Sequence, residues 1–203
     1  MRGSDSTEAM EYEKPVHLVE VASFWIATVP VTQSLWEAVM GKNPSRFKLG
    51  KDYPVEQVGW NDVQRFLERL NEFTGERYRL PREAEWEYAC RAGTAMDRYD
   101  SLDEIAWHPG NSGVSTHPVK GKRPNFFGLH DMLGNVFEWC EDWFWEYPAA
   151  EPLNLWGRSS EDTKVIRGGS WRADASWARS PARIGIDPYN TDDDQGFRLA
   201  RDG

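Results

Sequence analysis

The stretch VIRGGSWRADASWARSPAR (Val165–Arg183) carries a glycine pair, two tryptophans and four arginines, but no cysteine, histidine or lysine. Its first residues predict a core strand over Val165–Gly168. The serines that follow have no base beside them in the sequence to activate a hydroxyl. The segment therefore has the composition of a site without the groups that nucleophilic chemistry needs.

The composition around this stretch favours one compact, loop-rich domain over residues 1–203. The chain contains 11 Trp, 17 Gly and 12 Pro, which is untypical of a helical bundle. Its formal net charge is −9 and no run of Lys or Arg occurs, so nucleic acid is not expected as a partner. The polar start and the lack of a long apolar run predict a soluble chain with no signal peptide and no membrane insertion, and leave the compartment open.

Helix signals are confined to the first half of the chain. Thr32 is a suitable cap for a helix over Gln33–Met40 that stops at Gly41. A second helix follows Asn61, and a third is predicted over Pro81–Ala92. The second helix has an apolar stripe formed by Val63, Phe66, Leu67, Leu70 and Phe73.

The chain from Thr94 onward predicts loops with short strands near Val165–Gly168 and Gly196–Ala200. Another strand pair, or one bent strand, is predicted over His17–Thr28. Such a long irregular region needs anchors, and tryptophans are available for that role. They are Trp107, Trp139, Trp143, Trp145, Trp156, Trp171 and Trp177. The predicted fold class is therefore α+β, with two main helices and short antiparallel strands.

The two cysteines, Cys90 and Cys140, are too few for a disulfide framework or a zinc site. Two buried free thiols are the favoured interpretation, and a single bridge between them is the alternative.

Several motifs together resemble the formylglycine-generating enzyme, or sulfatase-modifying factor, family. They are PVTQSLWEAVMGKNPSRF (Pro30–Phe47), YPVEQVGWNDVQRFLERLN (Tyr53–Asn71), RLPREAEWEYACRAGT (Arg79–Thr94), NFFGLHDMLGNVFEWCEDWF (Asn125–Phe144), the opening stretch itself and GFRLAR (Gly196–Arg201). The resemblance covers nearly the whole chain in order. It implies the irregular C-type lectin-like fold of that family.

The same resemblance argues against the family's copper chemistry. In the formylglycine-generating enzymes, two cysteines placed five apart after the GGS motif bind copper(I), a soft ion that selects thiolates. Matching GGSW (Gly168–Trp171) to that motif places Ala173 and Ala178 at the two cysteine positions. A methyl group neither ligates a metal nor exchanges disulfides. No copper is therefore expected.

A structural calcium site is the metal site that the resemblance does imply. Its ligands would be the side chain of Asp131, the carbonyls of Gly134 and Val136, and the carboxylate of Glu138. Oxygen ligands of this kind suit a hard cation. The alternative is a tight turn in which Asp131 caps the backbone and Glu138 forms a salt bridge.

The segment after the GGS motif lies, in this family, across the face where the enzymes bind their peptide. Trp171, Arg179, Arg183 and Phe197 are assigned to the scaffold. The residues between them mix aromatic, small and acidic types, as in adaptable recognition surfaces. These candidate ligand-binding residues are Arg172, Asp174, Ser176, Trp177, Ile184, Gly185, Ile186, Asp187, Tyr189, Asn190, Thr191, Asp192, Asp193 and Asp194.

One branch with this fold, the variable proteins of diversity-generating retroelements, carries a hypervariable segment at its C-terminus. There, template adenines become any base, so an AAC codon yields many residues but never Lys, Glu, Gln, Met or Trp. Every residue of Ile184–Asp194 except the framework-like Pro188 is interpreted as diversified, and all of them are reachable from AAC, whereas Trp177 is not. The window is consistent with diversification.

Four interpretations follow from these residues. The first is a non-enzymatic protein that binds a protein or another macromolecular ligand through its C-terminal face, with Trp177 and Tyr189 as aromatic anchors. The second is an enzyme of the same superfamily with altered chemistry, in which Ser170, Arg172 and Asp174 line a cleft. The third is an accessory domain of a larger protein. The fourth is an ordinary solvent loop.

Overall fold

The computed structural model describes residues 1–145, residue 147 and residues 162–203. The described chain forms the helices α1 (Gln33–Met40), α2 (Trp60–Thr74), α3 (Glu83–Arg91) and α4 (Leu102–Ile105). Its strands are β1 (Phe24–Ile26), β2 (Ala106–Trp107), β3 (Leu133–Gly134), β4 (Phe137–Trp143), β5 (Lys164–Arg167), β6 (Arg183–Ile186), β7 (Gln195–Gly196) and β8 (Ala200–Asp202). Most of the described chain is irregular, as the composition predicts.

Local capping explains where the first two helices begin and end. The side chain of Thr32 accepts a hydrogen bond from the first turn of α1, and Gly41 adopts the left-handed conformation at its end. Helix α2 begins earlier than the predicted Asn61 cap, because the Asp62 carboxylate accepts a hydrogen bond from Gly59 N at 3.1 Å.

The apolar stripe of α2 is confirmed except at its last position. Val63, Phe66, Leu67 and Leu70 are buried, whereas Phe73 is 71% exposed. Phe73 lies in the last turn of α2, which ends at Thr74 with Gly75 as its C-cap, and the core does not cover this turn.

The main sheet has the strand order β6-β5-β4-β7. The pairs β5–β6 and β4–β5 are antiparallel, as predicted. The pair β4–β7 is parallel, and so is the separate pair β2–β3, which corrects the prediction of antiparallel strands alone. The predicted strand over His17–Thr28 is reduced to β1, which pairs with β8.

Two hydrophobic clusters lie on either side of this sheet region. The first joins α1 and α2 to Trp139 and Phe197. The second surrounds Trp86 and contains both cysteines, which are free thiols. The prediction of two buried thiols at Cys90 and Cys140 is therefore confirmed.

Tryptophans fix loops through their indole N–H groups. Trp139 Nε1 donates to the carbonyl of Val58 at 2.9 Å, and Trp171 Nε1 donates to that of Asp193 at 3.0 Å. The predicted anchor Trp156 lies outside the described residues.

Buried ion pairs tie the C-terminal strands to the rest of the fold. Arg183 donates to both oxygens of Glu83 at 2.6 and 2.7 Å, and Arg179 donates to both oxygens of Glu13 at 2.9 Å. Burial alone would raise the pKa of Glu83, but neighbouring guanidinium groups outweigh it and hold the pKa well below its ordinary value. The burial of Arg179 and Arg183 agrees with the scaffold role assigned to them.

Within the described residues, no helix is both long and apolar enough to cross a membrane.

Candidate functional site

The glycine pair of the opening stretch makes a tight backbone bend after β5. Gly168 and Gly169 both have positive φ angles, of 97° and 75°. A Cβ atom on Gly168 would lie 2.8 Å from the carbonyl oxygen of Met132, and one on Gly169 would lie 3.0 Å from Ala178 N. Only glycine fits here, and the bend brings the chain back over the end of the sheet.

The loop that follows, residues 171–178, accepts hydrogen bonds from the side chains of Arg98 and Arg179 and contains one of its own. Asp174 caps the short 3-10 turn by accepting from Ser176 N at 2.9 Å. Arg98 donates to the carbonyl of Ala178 at 2.9 Å, and Arg179 donates to the carbonyl of Ser176 at 2.7 Å. These hydrogen bonds attach the loop to Arg98 and Arg179, which lie outside it.

A second loop, residues 187–192, packs its backbone against the start of α2. Asp187 Oδ1 accepts from Tyr189 N at 2.8 Å, and the Asp187 carbonyl accepts from Asn190 N at 2.9 Å. A Cβ atom on Gly59 would lie 2.9 Å from the carbonyl oxygen of Pro188, so the two backbones approach as closely as glycine permits. This turn is a fixed platform for the Tyr189 ring.

Arg172 connects the two loops. Its guanidinium group lies 2.6 Å from Asp192, 3.2 Å from Asp193 and 3.1 Å from Asp194. Arg46 forms a further ion pair with Asp193. The three carboxylates lie within 4.8 Å of one another, so the guanidinium groups compensate a concentration of negative charge.

The acidic triplet is only partly a surface feature, which corrects the sequence assignment. Asp193 is 2% exposed and Asp194 is 6% exposed. Asp194 also accepts a hydrogen bond from the Ser170 hydroxyl at 2.8 Å, and its carbonyl accepts one from Phe137 N. Both aspartates hold the loops together and offer no surface for direct ligand contact.

The remaining candidate residues are all at least partly accessible, although Gly185 faces Phe144 while Ile184 and Ile186 pack against the first cluster. We refer to the exposed and half-buried members as the recognition face. Its exposed members are Arg172, Asp174, Asp187, Tyr189, Asn190 and Thr191. Its half-buried members are Ser176, Trp177, Ile184, Gly185, Ile186 and Asp192.

The two predicted aromatic anchors differ in environment. Tyr189 is 80% exposed. Trp177 is half-buried, packs against the first hydrophobic cluster and lies edge-to-face with Phe137 at a ring-centroid distance of 6.4 Å. Trp177 therefore contributes to the core as well as to the face.

Several residues that build this region were missed by the sequence analysis. Arg46 and Phe47 approach it from the loop after α1, with Phe47 edge-to-face against Trp171 at 5.4 Å. Gln57 donates its backbone N–H to the carbonyl of Asp192 at 2.9 Å. These residues are far away in sequence, and no local pattern marks them.

The two alanines at the family's cysteine positions carry no ligand atom. Ala178 is buried and Ala173 is half-buried against the first cluster. The chain's own thiols are fully buried elsewhere, and burial raises the pKa of Cys90 to about 12. Burial also raises the pKa of Cys140 well above its ordinary value, which disfavours the thiolate form that binds soft metals.

The predicted calcium ligands differ in how well they fit a cation. Asp131 is buried, its Oδ2 accepts from Lys120 N at 2.8 Å, and its Oδ1 has no hydrogen-bond partner among the described residues. Burial raises the pKa of Asp131, and a cation at Oδ1 would relieve that cost. Glu138, however, accepts from Arg198 at 2.6 Å on both oxygens and from Trp86 at 2.6 Å. A cation would have to share Glu138 with Arg198, so calcium stays a prediction.

Comparison with known proteins places these features in context. The model of the sulfatase-modifying factor enzyme 1-like domain matches residues 1–203. The formylglycine-generating enzyme of Streptomyces coelicolor is 36% identical over 175 residues, which cover 74% of this chain and 53% of that enzyme. The chain is also 31% identical over 226 residues to the serine/threonine-protein kinase pkn1 of Chlamydia pneumoniae, and it spans 36% of that kinase's length.

Two solved structures share the fold at comparable identity. Treponema denticola variable protein 1 has a TM-score of 0.82 and 32% identity, covering 87% of this chain and 84% of its own. PvdO from Pseudomonas aeruginosa has a TM-score of 0.87 and 29% identity, covering 100% of this chain and 90% of its own. The predicted C-type lectin-like fold class is confirmed by these neighbours.

Proposed function

The chain belongs to the sulfatase-modifying factor family, and from that premise we propose that it is a non-enzymatic domain that binds a protein or another macromolecular ligand through the recognition face. The observation that carries the proposal is the 80% exposure of the Tyr189 ring on a turn whose backbone is fixed against Gly59. An exposed aromatic side chain on a rigid support loses little conformational entropy on binding.

The chemistry of the surrounding residues supports binding over reaction. The Ser170 hydroxyl donates to Asp194 and accepts from Ala173 N at 3.1 Å, so it is committed to the scaffold. Arg172 is engaged by three carboxylates. These contacts stabilise the loops, and Ser170 is 1% exposed, so its hydroxyl is not accessible to a substrate.

The similarity to a variable protein supports the retroelement version of this proposal. In that version, diversification acts on the exposed part of Ile184–Asp194, while Asp193 and Asp194 stay constant because they are buried. A near-copy of the 3′ coding end beside a reverse-transcriptase gene, differing only at adenines, would establish it. Without such a copy, the binding proposal stands and the retroelement version fails.

A peptide selection tests the binding proposal itself. A displayed library of random peptides is selected on the wild-type protein with counter-selection on Tyr189→Ala. We expect clones whose affinity falls at least about tenfold on Tyr189→Ala, as for an aromatic anchor. Phe73→Ala is the matched control, since Phe73 is similarly exposed but lies on α2. Absence of clones that distinguish the two variants would contradict the proposal.

A second candidate is an enzyme with altered chemistry, favoured by the 36% identity to a formylglycine-generating enzyme. It requires Ser170, Arg172 and Asp174 to act on a substrate. Incubation with Cu(I) and a cysteine peptide, with the Streptomyces coelicolor enzyme as positive control, tests only the family's copper reaction, and oxidation of the peptide would favour the enzyme. The altered chemistry is tested by Ser170→Ala and Asp174→Asn, because recognition through Tyr189 should survive Ser170→Ala, whereas an enzyme that uses Ser170 should lose its activity.

A further inference from the structure

Some charged side chains of the recognition face form ion pairs within the protein, and others are exposed without an ion-pair partner among the described residues. Two further arginines of the segment, Arg179 and Arg183, are buried and paired with Glu13 and Glu83, so they contribute nothing to the surface. The five aspartates of the region outnumber its three partly exposed cations, Arg46, Arg98 and Arg172. Arg46 and Arg172 are bound to the acidic triplet, and Arg98 lies beside Glu8.

Two carboxylates remain without a cationic partner. Asp174 and Asp187 are exposed, and no ion pair in the described part of the chain involves either of them. Each accepts a backbone N–H from its own turn, from Ser176 and Tyr189 respectively, which fixes the carboxylate in place. Hydrogen bonds from Ser176 lower the pKa of Asp174, so this group is ionised at neutral pH.

The exposed aromatic ring adds a second feature that favours a cation. Tyr189 lies two residues after Asp187 on the same turn, and its ring packs on no other aromatic residue within the described residues. The face of such a ring attracts guanidinium and ammonium groups, while a carboxylate beside it neutralises them.

Resting on the proposed function, we propose that the partner presents a basic protein segment, with Arg or Lys side chains that lie against Tyr189 and pair with Asp187 and Asp174. The excess of aspartates over arginines on this face repels acidic segments and speeds the approach of basic ones. The acidic triplet, paired with Arg172 and Arg46, stabilises the loops. Asp174 and Asp187 are the groups that would select basic partners over acidic ones.

The clones from the peptide selection test this inference. We expect the Tyr189-dependent clones to be enriched in Arg and Lys relative to the starting library. Their affinity should fall at least about threefold on Asp187→Asn and on Asp174→Asn, and should weaken as salt rises. The matched control is Glu68→Gln, an exposed acidic residue on α2 that should change nothing.

The outcomes separate the two proposals. Tyr189-dependent clones that are neutral or acidic, or that ignore both aspartate substitutions, would overturn the basic-partner inference and leave the binding proposal intact. Equal losses on Glu68→Gln would show a general charge effect and would also overturn it. Failure to obtain any Tyr189-dependent clone would overturn the binding proposal first.

Discussion

Substitution of Arg172 by Ala should weaken the whole recognition face, because this side chain joins its two loops. The change removes three ion pairs, to Asp192, Asp193 and Asp194. Asp193 keeps its ion pair with Arg46, and Asp194 keeps the Ser170 hydroxyl. The two buried carboxylates thus lose part of their compensation but are not left unpaired.

The magnitude follows from how exposed the arginine is. Breaking a buried ion pair costs about 3–5 kcal/mol, and an exposed pair contributes about 0–1 kcal/mol. Arg172 is 39% exposed and its partners are mostly buried, so we expect a loss of about 2 kcal/mol. For a domain of this size, that lowers the Tm by about 4–8 °C. Arg46→Ala is the control, because Arg46 is 65% exposed and should cost less than about 1 kcal/mol.

Calcium offers a second measurement on the same variant. Without Arg172, the three carboxylates lie within 4.8 Å of one another with Arg46 as their one remaining cationic partner among the described residues, so we expect them to bind a hard cation more tightly than in the wild type. At about 10 mM Ca²⁺, a site with a Kd of about 1 mM would restore about 1.4 kcal/mol. Differential scanning fluorimetry should show a larger Ca²⁺-dependent rise for Arg172→Ala than for the wild type. An Arg172→Ala variant as stable as the wild type would refute the structural role given to this residue.

Three further expectations concern single side chains. Tyr189→Ala should shift the Tm by less than about 2 °C, whereas Trp177→Ala should lower the free energy of unfolding by about 2 kcal/mol, because only the tryptophan packs on the core. Equal losses of stability for the two variants in thermal unfolding would contradict this. Glu83→Gln should cost about 3–5 kcal/mol in denaturant unfolding. The folded pKa of Glu83 is lowered, so the stabilisation from its ion pairs is complete above the unfolded pKa of about 4.3 and is lost as the pH falls further. The free energy of unfolding of Glu83→Gln should therefore depend less on pH than that of the wild type between pH 5 and the folded pKa. The same pH dependence in both proteins would count against the ion pairs. Calcium should raise the Tm of the wild type but not of Asp131→Asn, and no response of the wild type would remove the predicted calcium site.

The sequence predicts the fold well where local chemistry determines it. The cap at Thr32 and the stop at Gly41 define α1, and the helical spacing of apolar residues defines α2 up to Leu70. The strand predicted over Val165–Gly168 is found one residue earlier, as β5 (Lys164–Arg167). These signals lie within a few residues of the elements they define.

The sequence locates the recognition face, but it does not show which of its residues are exposed for ligand contact and which are buried and stabilise the loops. Three consecutive aspartates are typical of a solvated loop, yet Asp193 and Asp194 are buried. Arg46, 147 residues away from Asp193, lies against it only in the folded chain. The parallel pair β4–β7 is a long-range feature of the same kind, since no local pattern fixes which strands meet.

The position of the ligand on the protein tests the central claim most directly. Hydrogen–deuterium exchange of the wild-type protein, with and without a selected peptide, reports which backbone segments the ligand protects. Protection concentrated in residues 172–177 and 187–191 is the expected result. Protection confined to other surfaces, such as the exposed turn at Phe126 and Phe127, would contradict the account.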